Sequence, residues 1–209
     1  MGKGKKAAKA VAKADREVTL NAARHRDEPV VKAAGFLAEI ADQPQLVATS
    51  LGTVAIGLIA RRPEVIRGGL RMLAAHAAAT FVKSAIKHSI DRTRPAKAIE
   101  NGRGRFEPGD SHDHDQNSFP SGHTAGAVAV ARAVSRDIDG AGAPAALITV
   151  AVAAVQPANG KHYLSDLVVG AAVGWIAEAL VSAVFDRLAP VVEAAAADKV
   201  LLLIEHKTD

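Results

Sequence analysis

The sequence predicts an all-α protein, a multi-pass transmembrane helical bundle with its active site at one end. Three observations predict it. Residues 45–60 (QLVATSLGTVAIGLIA) and 143–155 (APAALITVAVAAV) carry no charge. Residues 164–185 are apolar apart from Asp166 and Glu178. No stretch alternates apolar and polar residues with the period of a half-buried strand. The mean hydropathy of +0.10 is thus an average over charged ends, one charged central loop and apolar segments between them.

Taken in order, residues 1–28 are basic and low in complexity and read as a flexible tail. Solvation is the plain expectation for such a charge run; attraction to anionic headgroups is the functional one. No apolar run and small-residue cleavage site follow promptly, so a signal peptide is not expected. The helical membrane domain then covers 29–190. Residues 30–41 suit a short amphipathic helix. Residues 45–60, 68–86, 121–135, 143–155 and 164–185 are the candidate spans, several short against the ~20 residues a crossing needs. Gly122/Gly126 and Gly170/Gly174 form small-xxx-small pairs that suit close helix packing. A C-terminal amphipathic segment is expected over 191–209.

Composition narrows the chemistry. The 209 residues include no cysteine, which excludes disulfides, thiolate metal sites and thiol nucleophiles. The net charge of +4 suits anionic partners. Aromatic content of 3% leaves few stacking platforms, so no nucleic acid partner is expected.

Three short stretches carry polar chemistry. In KHSIDRTRP, Lys87 precedes Arg94 and Pro95, and the proline marks a helix boundary. Basic groups at a helix end suit a phosphate. In PSGH, Ser121, Gly122 and His123 open the next helix, whose first N–H groups lack partners and attract anions. His123 there can move a proton near neutral pH. In KHYLSD, His162 and Asp166 are four residues apart and share a helix face, where a carboxylate fixes the imidazole tautomer. Each stretch alone has a structural reading. With the spans alternating in direction, all three fall at the same end of the bundle.

These motifs resemble those of the type 2 phosphatidic acid phosphatase superfamily, which includes lipid phosphatases, soluble bacterial acid phosphatases and vanadium haloperoxidases. Lys87, Arg94 and Pro95 match its first motif, Pro120 to His123 its second, and His162 and Asp166 the end of its third. The resemblance spans about residues 65–185. It implies that His162 attacks phosphorus, Asp166 orients it, and His123 protonates the leaving oxygen. Lys87, Arg94, Ser121 and the Gly122 N–H would hold the phosphoryl oxygens, with no metal or other cofactor. The chain departs from the pattern where the family has Ser-Arg, which falls on Val155 and Gln156. Gln156 can donate an amide hydrogen bond, and Lys161 is the nearest replacement charge.

The resemblance implies a membrane lipid phosphatase acting on a phosphomonoester or diphosphate: phosphatidate, phosphatidylglycerophosphate, or a polyprenyl phosphate or diphosphate. The alternatives are a soluble acid phosphatase or vanadate-dependent haloperoxidase relative, and a catalytically degenerate lipid-binding protein. The loop stretch His112 to Asp115 offers metal-ligand atoms but reads first as solvated. Arg61, Arg62, Arg67, Arg132, Arg136 and Arg187 lie opposite the motifs, so the positive-inside rule predicts an outward, periplasmic site in the cell membrane. The basic residues 1–28 conflict with that unless 30–41 adds a crossing or a re-entrant turn.

Overall fold

The structure, a computed structural model, describes residues 2–205, with side chains for all of these except Lys3, Ala8 and 190–205. The helices are α1 (Lys3–Ala23), α2 (Pro29–Ala38), α3 (Gln43–Ala60), α4 (Pro63–Lys87), α5 (Pro95–Glu100), α6 (Gly122–Asp137), α7 (Gly142–Ala158) and α8 (Leu164–Glu205). Short strands β1 (Ile90–Arg92) and β2 (Phe106–Pro108) pair antiparallel in the α4–α6 connection. Prolines at the starts of α2, α3, α4 and α5 occupy positions whose N–H would have no partner anyway.

The bundle is α3, α4, α6, α7 and α8, with α4, α6 and α8 packed on one another and α3 and α7 flanking. Its apolarity is turned outward. Leu51, Ile56 and Ile59 of α3, Phe81 of α4, Leu147 and Val150 of α7, and Trp175, Ile176 and Leu180 of α8 are all exposed. The buried core is mostly small, with Leu46, Met72, Ala75, Ala79, Ala129, Ala133 and Ala177. That pattern is stable in lipid, where outward apolar groups cost nothing and close packing holds helices together. Among the described residues, two helices are long and apolar enough to cross a membrane, Gln43–Ala60 and Leu164–Ala189. α7 is apolar but shorter, at 17 residues.

The small-residue pairs act at the α6–α8 contact. A Cβ on Gly170 would stand 2.6 Å from the Ser121 carbonyl oxygen, and Gly174 lies against the carbonyl of Ala125. At the far end, Arg71 bridges Asp137 and Asp186, at 2.7 and 2.9 Å. Buried Glu178 accepts from Arg132, Arg136 and Ser182.

One expectation changes here. Residues 3–23 are a helix rather than a flexible tail, because Asp15 and Thr19 give it specific anchors. Asp15 accepts from Arg92 at 2.9 Å and from the Ser165 hydroxyl at 2.6 Å. The Leu164 N–H donates to Thr19. α2, at 10 residues, is about 15 Å long, too short to cross alone, and Leu37 and Ile40 share an apolar groove with Ile148 and Val155 of α7, a placement that fits a re-entrant segment. The amphipathic character expected of 191–209 lies outside the described side chains, although α8 continues to Glu205.

Candidate active site

The ends of α4, α6 and α7, the start of α8 and the turn before α3 enclose a polar cavity of about 260 Å³. Lys87, Arg94, Gly122, His123, Lys161 and His162 line it together, so six of the nine sequence-predicted site residues converge. Ser121 and Asp166 are fully buried behind them.

His162 sits in the short turn between α7 and α8, 2% exposed. Its Nδ1–H donates to the Ser118 carbonyl at 2.7 Å. The Asp166 carboxylate is 3.7 Å from that nitrogen. The tautomer is therefore fixed first by a backbone carbonyl, and Asp166 acts one step back. Asp166 accepts from the Ser118 hydroxyl at 2.5 Å, the Tyr163 N–H at 2.8 Å and Arg92 at 2.5 Å. It thereby holds the residue whose carbonyl holds His162. Burial pushes His162 down to about 4; nearby Arg94 and Lys87 act the same way and Asp166 partly offsets them. The imidazole is neutral at pH 7, and with Nδ1 protonated its Nε2 carries the lone pair a nucleophile needs.

The cations are held by backbone oxygens. Lys87 donates to the Asn117 carbonyl at 2.6 Å, and Arg94 to the His114 carbonyl at 2.9 Å. Neither contact spends the charge on a carboxylate. Burial lowers the Arg94 guanidinium from its usual value, with Asp115 and Asp166 opposing; an arginine still stays protonated at pH 7. Ser121 caps α6, its hydroxyl accepting from the Thr124 N–H at 3.4 Å. This presents Gly122 and His123 to the cavity at a helix N-terminus.

His123 faces Glu39, with 3.5 Å between Nε2 and the carboxylate, and Lys161 pairs with the same carboxylate. Burial acts to raise the Glu39 carboxyl, but Lys161 and then His123 hold it below the usual range. Gln156 does not reach the cavity. It is fully buried in the packing of α7, its amide without a hydrogen-bond partner. Position 156 therefore supplies no replacement for the family arginine, and Lys161 is the cation that lines the cavity nearby.

Sequence reasoning missed Lys83, Glu39, Asp42 and Gln43, which also line the cavity. Lys83 was findable, being one helical turn before Lys87 on the same face. The other three precede α3 and have no motif around them. Arg92, Ser118 and Asp15 were missed because they support the site from behind. The stretch His112 to Asp115, read first as solvated, does not gather its ligand atoms at one point among the described residues. Asp113 caps a short 3-10 turn and His114 exposes its side chain. His112 instead lies with His88 and Asp110, their ligand atoms within 4.8 Å on the surface.

A buried histidine facing cations and a helix N-terminus, at the end of a membrane-helix bundle, defines a membrane protein that handles phosphoryl groups. Residues 68–189 match the profile of the PAP2 superfamily, and the chain belongs to that family. The fold agrees with two solved structures. The crystal structure of LpxE from Aquifex aeolicus is 19% identical with a TM-score of 0.59, covering 79% of this chain and 92% of that one. The first transmembrane PAP2-type phosphatidylglycerolphosphate phosphatase structure, from Bacillus subtilis, is 20% identical with a TM-score of 0.63, covering 86% and 88%. No curated protein matches the sequence significantly.

Proposed function

We propose that the protein is a membrane lipid phosphatase that cleaves a phosphomonoester or diphosphate through a phosphohistidine. The observation that carries the lipid reading is an apolar groove lying beside the polar site. Ala41 lines both the polar site and an apolar groove of about 320 Å³ between α3, α6 and α7. Ile40, Leu46, Met72, Val130 and Ile148 wall that groove. A phosphate in the first space with an acyl or prenyl chain in the second satisfies both. The phosphatidylglycerolphosphate phosphatase of similar fold supports this substrate class.

In the proposed reaction, Nε2 of His162 bonds to phosphorus as the bond to the lipid oxygen breaks. His123 gives its proton to that oxygen. It then takes one from water, whose oxygen attacks phosphorus, and orthophosphate leaves as the P–N bond breaks. Lys87, Arg94, Lys161 and the Gly122 N–H stabilise the charge on the equatorial oxygens. These cations supply the charge that a metal supplies in other phosphoryl-transfer sites, so the reaction is expected to proceed without one.

The test is phosphate release from phosphatidate, phosphatidylglycerophosphate and polyprenyl phosphates in detergent with EDTA. Release by the wild type and none by His162→Ala supports the reading. A wild-type protein inert on every lipid favours the degenerate alternative. Vanadate-dependent halide oxidation would favour the haloperoxidase one. The far-end arginines Arg61, Arg62, Arg67, Arg132, Arg136 and Arg187 support a site that opens outward.

A further inference from the structure

We propose that His88, Asp110 and His112 form a binding site for one Zn2+ ion, outside the phosphate cavity, that braces the connection between α4 and α6. This goes beyond the phosphatase reading and does not rest on it.

The three residues come from two segments that the small hairpin brings together. His88 caps the C-terminus of α4, its N–H donating to the Ser84 carbonyl at 3.0 Å. β1 and β2 pair Ile90 with Pro108. Continuing that antiparallel register by two residues sets His88 opposite Asp110. Between the two pairs, the Gly109 N–H donates to the Ser89 carbonyl at 3.2 Å, so the pairing does continue. The chain beyond is tied down as well. The Ser111 N–H donates to the Asp91 carboxylate at 2.8 Å, and the Asp113 N–H to the Ser111 hydroxyl at 3.2 Å. His112 thereby lies beside His88, ring edge toward ring, with centroids 5.8 Å apart.

His88 Nδ1 is 2.8 Å from an Asp110 carboxylate oxygen, and the ligand atoms of all three residues lie within 4.8 Å of one another. Ligands about 2.0–2.1 Å from a tetrahedral Zn2+ stand about 3.4 Å apart. All three side chains are exposed, so rotation about their side-chain torsions closes the difference while the backbone stays in place. The ion takes the place of the proton that His88 and Asp110 share. Two imidazoles with one carboxylate suit Zn2+, whereas Mg2+ and Ca2+ prefer shells of oxygen. Water fills the fourth position.

The site has a structural consequence. Lys87, next to His88, donates to the Asn117 carbonyl, and Arg94 to the His114 carbonyl. Residues 110–117 therefore carry two of the metal ligands and also the carbonyls that hold two phosphate-binding cations. An ion that joins this segment to the end of α4 restrains both. None of its three ligands lines the phosphate cavity, so no step of the reaction passes through it.

The test is equilibrium dialysis of the full-length protein, stripped with EDTA in detergent, against ZnCl2. The wild type should retain one equivalent. His88→Ala and His112→Ala should each weaken binding by more than about tenfold, since losing even an outer partner of a ligand costs that much. Asp110→Asn is the further variant should either alanine protein fail to accumulate. His114→Ala, two residues from His112, and His162→Ala, in the phosphate cavity, should bind as the wild type does. MgCl2 should not compete. Saturating Zn2+ should raise the thermal midpoint of the wild type but not of His112→Ala. A wild type that retains no Zn2+ overturns the proposal. So does binding that survives His112→Ala and is lost in His114→Ala or His162→Ala. Binding through the three residues with an unchanged midpoint overturns the bracing role. Every readout is made without lipid, so failure of the metal site and failure of the phosphatase reading are distinguishable.

Discussion

Gly170→Ala tests whether the contact between α6 and α8 sets the geometry of the site. The added Cβ would meet the Ser121 carbonyl oxygen at 2.6 Å, whereas ordinary contact begins near 3.4 Å. The helices must part by about 0.8 Å, the difference between those distances, and the obstructing atom is backbone. Only one turn away, the Ser121 N–H donates to the Asp166 carbonyl at 3.1 Å, so parting the helices strains that bond as well. His123 moves with α6 while His162 stays at the head of α8. A 1 Å misplacement of reacting groups costs about 100-fold in rate. Overpacking of this kind costs about 1–3 kcal/mol in stability. The assay is kcat on the best lipid phosphate, beside the thermal midpoint in detergent. Gly52→Ala is the control, since nothing lies within 4 Å of its added Cβ. That variant should gain up to about 1 kcal/mol from helix propensity and keep full activity. Gly170→Ala with unchanged kcat and midpoint would refute the claim that this close approach aligns the two histidines.

Other predictions follow from the same geometry. Lys161→Ala removes a charge-assisted contact worth about 1.5–3 kcal/mol, so kcat/KM should fall roughly 10- to 150-fold; a change under twofold would show that Lys161 stays with Glu39 during the reaction. Gln156→Arg should lower the thermal midpoint without raising activity, because the position is fully buried and outside the cavity; a gain in rate would mean that the side chain reaches substrate. Ser118→Ala keeps the carbonyl that holds His162 but removes a bond to buried Asp166, so stability should fall by about 1–3 kcal/mol while some activity survives. His162 must be neutral to attack, and its value lies near 4 rather than 6.5. As pH falls, kcat/KM should therefore lose no activity through His162 until pH approaches 4; a loss traced to this residue near pH 6.5 would contradict its burial.

The sequence by itself determined the membrane-helix class, because uncharged runs and outward apolar residues follow from composition along the chain. It also determined the family and five of the twelve residues that line the cavity, since Lys87, Arg94, Gly122, His123 and His162 sit in contiguous motifs at helix ends. Lys83 was within reach of the same periodicity. Tertiary structure alone decided what stands between those motifs. Glu39 and Asp15 come from segments with no motif, and they reach the site only because α1 and α2 fold back over the end of the bundle. Gln156 and Ser121 show the converse: residues in motif positions can turn into the packing, since a backbone position does not fix where a side chain points. The side on which α1 lies was likewise undetermined, because a basic run reads the same whether solvated or anchored. Its place depends on long-range contacts that no local pattern encodes, such as Asp15 with Arg92, 77 residues apart, and Thr19 with Leu164.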